Sequence, residues 1–385
     1  MSRAPSTVFA QLGTTIFESM SRLAESHRAI NLGQGFPDEG GPAGVVEEAR
    51  RFLISGNNQY PPMAGIVTLR EAIARHEARH YGLVRDPKAE VLVTSGATEA
   101  LAAALLGLVS PGDEVIVFEP LYDSYVPIIR RAGGVPVPVR LEPPGFRLDP
   151  GPLQRAVSDR TRVILINDPM NPAAKAFERA ELEMVLRVAV EADAVLLCDE
   201  VYEHLVYGAQ HIPLAALPGA AERTLKVGSA GKIFSMTGWK VGWLTGPAAL
   251  VSVVARAHQY LTFTTPPNLQ AGVAWGLDHA GDWVDDLTRT LEKKRDHFAA
   301  ELTKLGLRVL PATGTYFLNV SLEGTEWAGR DAEYCRHLTE HRGVAAIPLS
   351  AFYVGEPVRD VVRFCFAKRY EVLDGALERL ARAAR

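Results

Sequence analysis

From Glu90 onward the chain alternates short, near-continuously apolar runs with longer stretches of helical periodicity, and this alternation limits the fold more than any other feature. The runs Val91–Thr94, Val115–Phe118, Val163–Ile166, Val195–Cys198, Leu225–Val227 and Val241–Leu244 read as strands covered on both faces, because a strand with one wet face would alternate apolar and polar residues. Helical stretches such as Thr98–Val109 and Arg179–Ala192 separate them, as the crossovers of a mostly parallel sheet require. Ser110-Pro111-Gly112-Asp113 closes the first unit, since proline cannot continue a helix and glycine accepts the reversal. The class is α/β.

After about Ala280 the pattern changes. A long charged helix, Trp283–Leu305, is followed by β-rich pieces at Tyr316–Val320 and Val361–Ala367 and a closing helix, Val372–Ala384. These read as a second, α+β domain. A chain of 385 residues also exceeds what one core usually supports, roughly 100–200 residues per domain. No internal repeat or low-complexity stretch interrupts the pattern.

Composition narrows the partners. A net charge of -4 provides no basic field for a polyanion, so nucleic acid is not expected and a small molecule is. Cys198, Cys335 and Cys365 are odd in number and widely spaced, which points to reduced thiols rather than disulfides or a zinc site, and so to the cytoplasm. No metal is expected. Met1 to Gln11 lacks the pattern of an export signal, and the most apolar stretch, Ala100–Val109, falls far short of the ~20 residues that span a bilayer. No membrane association is expected.

Lys232 ends Lys226-Val227-Gly228-Ser229-Ala230-Gly231-Lys232, a run of small residues after a strand that lets backbone and side chain approach a ligand. A lysine that must be neutral near pH 7 needs desolvation or a neighbouring cation. The plain alternative is a surface lysine in a turn. A P-loop fails because Lys226 stands at its first glycine position and Ile233 follows the lysine. A dinucleotide fingerprint at Gly33-Gln34-Gly35 fails because Asp38 stands at the last glycine and no strand precedes it.

Thr94-Ser95-Gly96-Ala97-Thr98-Glu99-Ala100 joins a strand to a helix start, where free N–H groups and the dipole favour a phosphate. An ordinary cap by Ser95 or Thr98 explains the same residues. Asp199 follows a strand at the carboxyl edge of the sheet, where ligands of open α/β folds collect; opening a loop is its commoner use. Tyr202, three residues on, is either a ligand of a cofactor or a packing residue. Arg363 lies on a strand between Val362 and Phe364; its planar fork suits a carboxylate, and a solvated strand face is the alternative. Lys240, between Trp239 and Val241, has the same alternative.

Taken together, Ser95-Gly96-Ala97-Thr98-Glu99-Ala100, Asn171-Pro172, Asp199-Glu200-Val201-Tyr202, Ser229-Ala230-Gly231-Lys232 and Arg363-Phe364 occur in the order seen in class I/II aminotransferases, which the chain closely resembles. Asn31-Leu32-Gly33-Gln34-Gly35-Phe36-Pro37-Asp38 and Thr237-Gly238-Trp239-Lys240-Val241-Gly242-Trp243 resemble the kynurenine, glutamine and methionine aminotransferase branch, which includes N-succinyldiaminopimelate aminotransferase-like proteins. The resemblance implies a fold-type I subunit. Its large domain, over 43–282, would bind pyridoxal 5'-phosphate (PLP) beside a mostly parallel seven-stranded sheet, and a small domain would be built from 1–42 and 283–385. It also implies a homodimer.

The same resemblance implies the roles. Lys232 would be the Schiff-base lysine and proton shuttle, Asp199 the partner of the pyridine nitrogen, and Asn171 and Tyr202 the ligands of the phenolic oxygen. Tyr122 would stack on the ring. Gly96, Ala97, Thr98, Ser229 and Lys240 would hold the phosphate, with Tyr60 reaching in from the neighbouring subunit. Arg363 would bind the substrate carboxylate, with Gly35, Asn171 and Phe17 around the substrate and Phe352 a further pocket candidate. One departure stands beside the ring: Ala173-Ala174 follows Asn171-Pro172, where the family commonly has Thr-Gly, so a different loop shape is expected. The reaction implied is transfer of an amino group from an L-amino acid to a 2-oxo acid. Alternatives are β-elimination on cysteine conjugates and a non-enzymatic PLP-binding regulator; the latter needs a DNA-binding segment for which neither end of the chain has room.

Overall fold

The computed structural model describes residues 7–381. Its strands are β1 (Ile30–Asn31), β2 (Val91–Thr94), β3 (Glu114–Glu119), β4 (Val135–Arg140), β5 (Thr161–Asn167), β6 (Val195–Asp199), β7 (Thr224–Ser229) and β8 (Gly242–Thr245), then β9 (Arg308–Val309), β10 (Phe317–Ser321), β11 (Val344–Ala345), β12 (Ile347–Pro348) and β13 (Val361–Cys365). Seven of them form one sheet in the order β2-β8-β7-β6-β5-β3-β4. β3 to β7 run parallel, and β8 runs antiparallel to both of its neighbours. The sheet is therefore mostly parallel, and helices such as Ala97–Leu108 and Arg179–Glu191 flank it.

All six expected strands are present, with ends shifted by a few residues. The seventh, β4, was not expected, because Pro136 and Pro138 interrupt its sequence. Proline cannot donate to a ladder, and it is tolerated here because β4 is an edge strand pairing only with β3. Lys240 is not on a strand at all: it has φ 54, in the left-handed region, and β8 begins two residues later.

The parallel register brings Asn167, Asp199 and Val227 side by side at the carboxyl ends of β5, β6 and β7. The antiparallel β8 enters at that same edge, so its first residue, Gly242, lies opposite both Thr94 and Ser229. A Cβ at Gly242 would come within 2.7 Å of the Ala97 nitrogen; only glycine lets β8 pass so close to the start of the helix. That helix buries Ala100, Leu101, Ala103, Ala104, Leu105 and Leu108. Each buried leucine of this kind contributes about 2 kcal/mol by leaving water.

A second sheet, β12-β13-β10-β9, is antiparallel throughout. It carries Arg363 on β13, opposite Asn319 of β10. β1 pairs in parallel with β11, which ties the N-terminal part of the chain to the C-terminal part. The helix expected at Trp283–Leu305 is Gly281–Lys304. The closing helix is described as Tyr370–Ala381; the remainder of its expected range, 382–384, lies outside the described residues.

Candidate active site

A cavity of about 360 Å³ opens at the carboxyl edge of the large sheet, and Arg363 of the second sheet borders it from the far side. Lys232 reaches it from the short helix Ala230–Ile233 that follows β7. Its Nζ donates a hydrogen bond of 2.7 Å to the Tyr316 hydroxyl, which in turn donates to the Gly35 carbonyl at 2.6 Å. Burial removes water from the ammonium and lowers its pKa to about 8, against the opposing pull of Asp199. A fraction of the amine is thus already neutral near pH 7, far more than an ordinary lysine offers, and half of it is neutral at about pH 8.

Asp199 ends β6, is 4% exposed, and is held on one side only. The Tyr125 hydroxyl donates to its Oδ2 at 2.5 Å, whereas Oδ1 is buried with no hydrogen-bond partner. Burial raises the carboxyl to about 6, opposed by the bond from Tyr125 and by a backbone N–H. A buried carboxylate oxygen without a donor is costly, so a cationic N–H donor placed in the cavity would be held firmly there.

Asn167 and Asn171 connect the Asp199 backbone to the arginine. Asn167 Nδ2 donates to the Asp199 carbonyl at 2.8 Å, and its Oδ1 accepts the Asn171 backbone N–H at 2.7 Å. Asn171 Oδ1 then accepts from Arg363 Nη1 at 2.6 Å. Arg363 Nη2 donates to the Gly33 carbonyl at 3.1 Å, and Nε has no partner. The guanidinium is only 1% exposed, lies 3.9 Å from the centre of the Phe317 ring, and forms no salt bridge with a described residue. Burial lowers its pKa to about 10. A buried cation with neutral partners alone is poised for an anion. The solvated strand face that its sequence neighbours allowed does not occur.

At the opposite end of the cavity Gly96, with φ 83, precedes the helix Ala97–Leu108, and no side chain caps that helix. Its first N–H groups are therefore open to an anion, and capping by Ser95 or Thr98 is excluded. Ser229, Thr98 and Lys240 border the same end. Lys240 Nζ approaches Gly96 so closely that a Cβ there would lie 3.2 Å from it.

Most of the remaining residues singled out in the sequence lie around this frame. Gly35, Phe17, Tyr122, Asn171, Tyr202 and Ala97 all border the cavity. The Tyr202 ring stands edge-to-face on Tyr316, 5.2 Å between centres. Tyr60 is the exception: it is 85% exposed, outside the cavity, with its ring against Phe263. Phe352 does not line the cavity either; it is buried behind Phe17 and the guanidinium. Ala174, in the departing loop, takes a left-handed φ of 60, a conformation that glycine adopts without strain.

Three residues of the site carry no sequence signal of their own. Tyr316 reads only as the start of a strand, Tyr125 opens a helix whose apolar character suggests core, and Asn167 ends an apolar strand. The spacing Tyr122-xx-Tyr125 was the one available signal for the second of these.

Comparison with known proteins agrees with this geometry. The model of the family "Aminotransferase class I and II" matches residues 27–380. A probable N-succinyldiaminopimelate aminotransferase of Mycobacterium tuberculosis is 47% identical, with 96% of each chain covered. The methionine aminotransferase of Escherichia coli is 42% identical, covering 98% of this chain and 97% of that one. A solved structure of N-succinyldiaminopimelate aminotransferase from M. tuberculosis superimposes with a TM-score of 0.95 at 46% identity, covering 98% of this chain and all of the other. Members of the family are fold-type I enzymes that use PLP. By its ordered motifs, its sheet and the near-complete match to these relatives, the chain belongs to the class I and II aminotransferases.

Proposed function

We propose that this aminotransferase binds PLP across the cavity with Lys232 as its covalent anchor and proton carrier, and that its amino donors have uncharged, apolar or aromatic side chains. The observation that carries the reading is the unpartnered Asp199 Oδ1 bordering the same cavity as Lys232. The residues fit the cofactor. Asp199 Oδ1 would take the protonated pyridine nitrogen, with Tyr125 fixing the carboxylate from behind. Asn171 and Tyr202 would hold the phenolic oxygen and Tyr122 would cover the ring. The Gly96-Ala97 helix start, Thr98, Ser229 and Lys240 would hold the phosphate.

When bound, PLP supplies an electron sink that acidifies the Cα–H bond of the amino donor. Lys232 Nζ, once free of the cofactor, would take that proton and deliver it to the carbon on the far side of the amino nitrogen, which its lowered pKa favours. Tyr316 orients the amine and Gly35 orients Tyr316. Arg363 grips the α-carboxylate and so fixes the Cα–H bond; the Phe317 face beneath it keeps the guanidinium plane from turning.

Among the residues bordering the cavity the cations are Lys232, Lys240 and Arg363, each with a role above, while Phe17, Tyr122 and Phe317 form the apolar wall. Among the described residues bordering the cavity no further cation remains for a distal carboxylate on the donor, which favours methionine-, kynurenine- or glutamine-like donors over an N-succinyldiaminopimelate-like one. The test is a donor screen with 2-oxoglutarate and pyruvate as acceptors. Preference for N-succinyldiaminopimelate over methionine by tenfold or more would overturn this assignment.

We further propose a large domain over 43–282 and a small domain of 1–42 with 283–385, a split supported by the β1–β11 pairing. A cytoplasmic homodimer completes the reading, with Tyr60, exposed beside Phe263, serving the partner's site. Three free, buried cysteines suit a reducing compartment.

Arg363→Lys tests the carboxylate anchor. Lysine keeps the charge but not the planar fork, and a charge-assisted hydrogen bond is worth ~1.5–3 kcal/mol, so kcat/KM should fall about tenfold to a hundredfold. Because the carboxylate is common to amino and oxo acids, single-turnover kinetics should show the same loss in both half-reactions. A loss confined to one donor would make Arg363 a side-chain selector.

A further inference from the structure

We propose that His76, His80 and His204 form a three-histidine site for a divalent metal of the zinc class, with water in the fourth tetrahedral position. The helix Val67–Tyr81 presents His76 and His80 on one face, four residues apart. His204 comes from the segment that follows β6, two residues after Tyr202.

The geometry matches metal coordination closely. One ligand nitrogen from each histidine lies within 4.8 Å of the others. His76 Nε2 and His204 Nε2 are 3.2 Å apart, and metal–nitrogen bonds of ~2.0–2.1 Å in a tetrahedron give a nitrogen–nitrogen edge of about 3.4 Å. The ring centres form a nearly equilateral triangle, with sides of 4.5, 5.0 and 5.1 Å. Three imidazoles on one tetrahedral zinc place their centres about 5 Å apart. His80 is exposed, so its ring can close the last ångström by rotating.

The Glu203 carboxylate lies beside the cluster. Glu203 Oε2 lies 3.9 Å from His76 Nε2 and accepts from Lys226 at 2.8 Å, while Oε1 is buried with no hydrogen-bond partner. The Lys226 charge is shared between Glu203 and Glu77, the latter at 3.4 Å. The cysteines play no part. The metal would staple the helix to the segment carrying Asp199 and Tyr202, outside the amino-transfer machinery.

The experiment uses the tag-free PLP-loaded enzyme, stripped with a chelator and titrated with Co²⁺ and Zn²⁺. The expected result is one ion per chain, the intense visible bands of tetrahedral Co²⁺ near 600 nm, and displacement by Zn²⁺, which should also raise the melting temperature. The exposed His80→Ala should weaken Zn²⁺ binding at least tenfold and abolish the tetrahedral bands while leaving the melting temperature of the metal-free enzyme unchanged. His204→Ala should do the same to binding, and circular dichroism shows whether it is folded. Absence of stoichiometric binding, a pale octahedral Co²⁺ spectrum, or unchanged affinity in His80→Ala overturns the proposal and leaves His76 and His204 as a simple imidazole–imidazole hydrogen bond.

Discussion

Lys232→Ala should lower turnover by at least about a thousandfold while the protein still folds and still binds PLP. A positioned general acid–base group supplies ~10²–10⁴ in rate, and this lysine also provides the covalent anchor. No neighbour replaces it: Lys240 is exposed and lies at the Gly96 end of the cavity. The wild-type apoprotein should capture PLP through the neutral amine. Burial sets the amine's pKa at about 8, so the capture rate should rise roughly tenfold per unit as pH increases from 6 towards 8 and level off above it. Turnover by the alanine variant within tenfold of wild type would remove Lys232 from the mechanism.

Asp199→Asn should lose activity by at least about a hundredfold, because the amide cannot keep the ring nitrogen protonated. The same variant should gain stability without cofactor. In the folded apoprotein burial raises the carboxyl to about 6 from an ordinary value of 3.8. A raised acid contributes stability below pH 4, and that contribution is lost as pH rises through 6. Above pH 6 the ionised carboxylate costs the apoprotein about 2–3 kcal/mol. Denaturant unfolding should therefore find apo Asp199→Asn more stable than wild type at pH 7.5, with the advantage shrinking towards pH 4.5. Equal stability at both pH values would mean that the carboxylate is solvated, and near-normal turnover would mean that another group protonates the ring.

The legible parts of this protein were those whose local sequence and tertiary role agree. Buried parallel strands need apolar residues on both faces, and β2, β3, β5, β6, β7 and β8 stood out for that reason. β4 did not, since an edge strand tolerates the prolines that argue against a strand. The antiparallel direction of β8 depends on how far the chain travels between strands, which no local pattern records.

In the site, Lys232, Asp199 and Arg363 were found through their motifs, and the structure brings them to one cavity. Tyr125 and Tyr316 were not, because each acts by a single hydroxyl at the end of a side chain that otherwise looks like core. The histidine cluster has no sequence signal for a similar reason: His204 meets His76 and His80 only after β6 and the helix Val67–Tyr81 have packed. Cysteine spacing has no bearing on it.

The central claim is that one particular lysine carries the cofactor, and borohydride reduction followed by peptide mapping tests it directly. Reduction makes the cofactor–lysine bond permanent, so the label marks the residue that held it. One label per chain is expected, on the peptide containing Lys232, and none in Lys232→Ala. A label on Lys240 or any other lysine in the wild-type enzyme would contradict it.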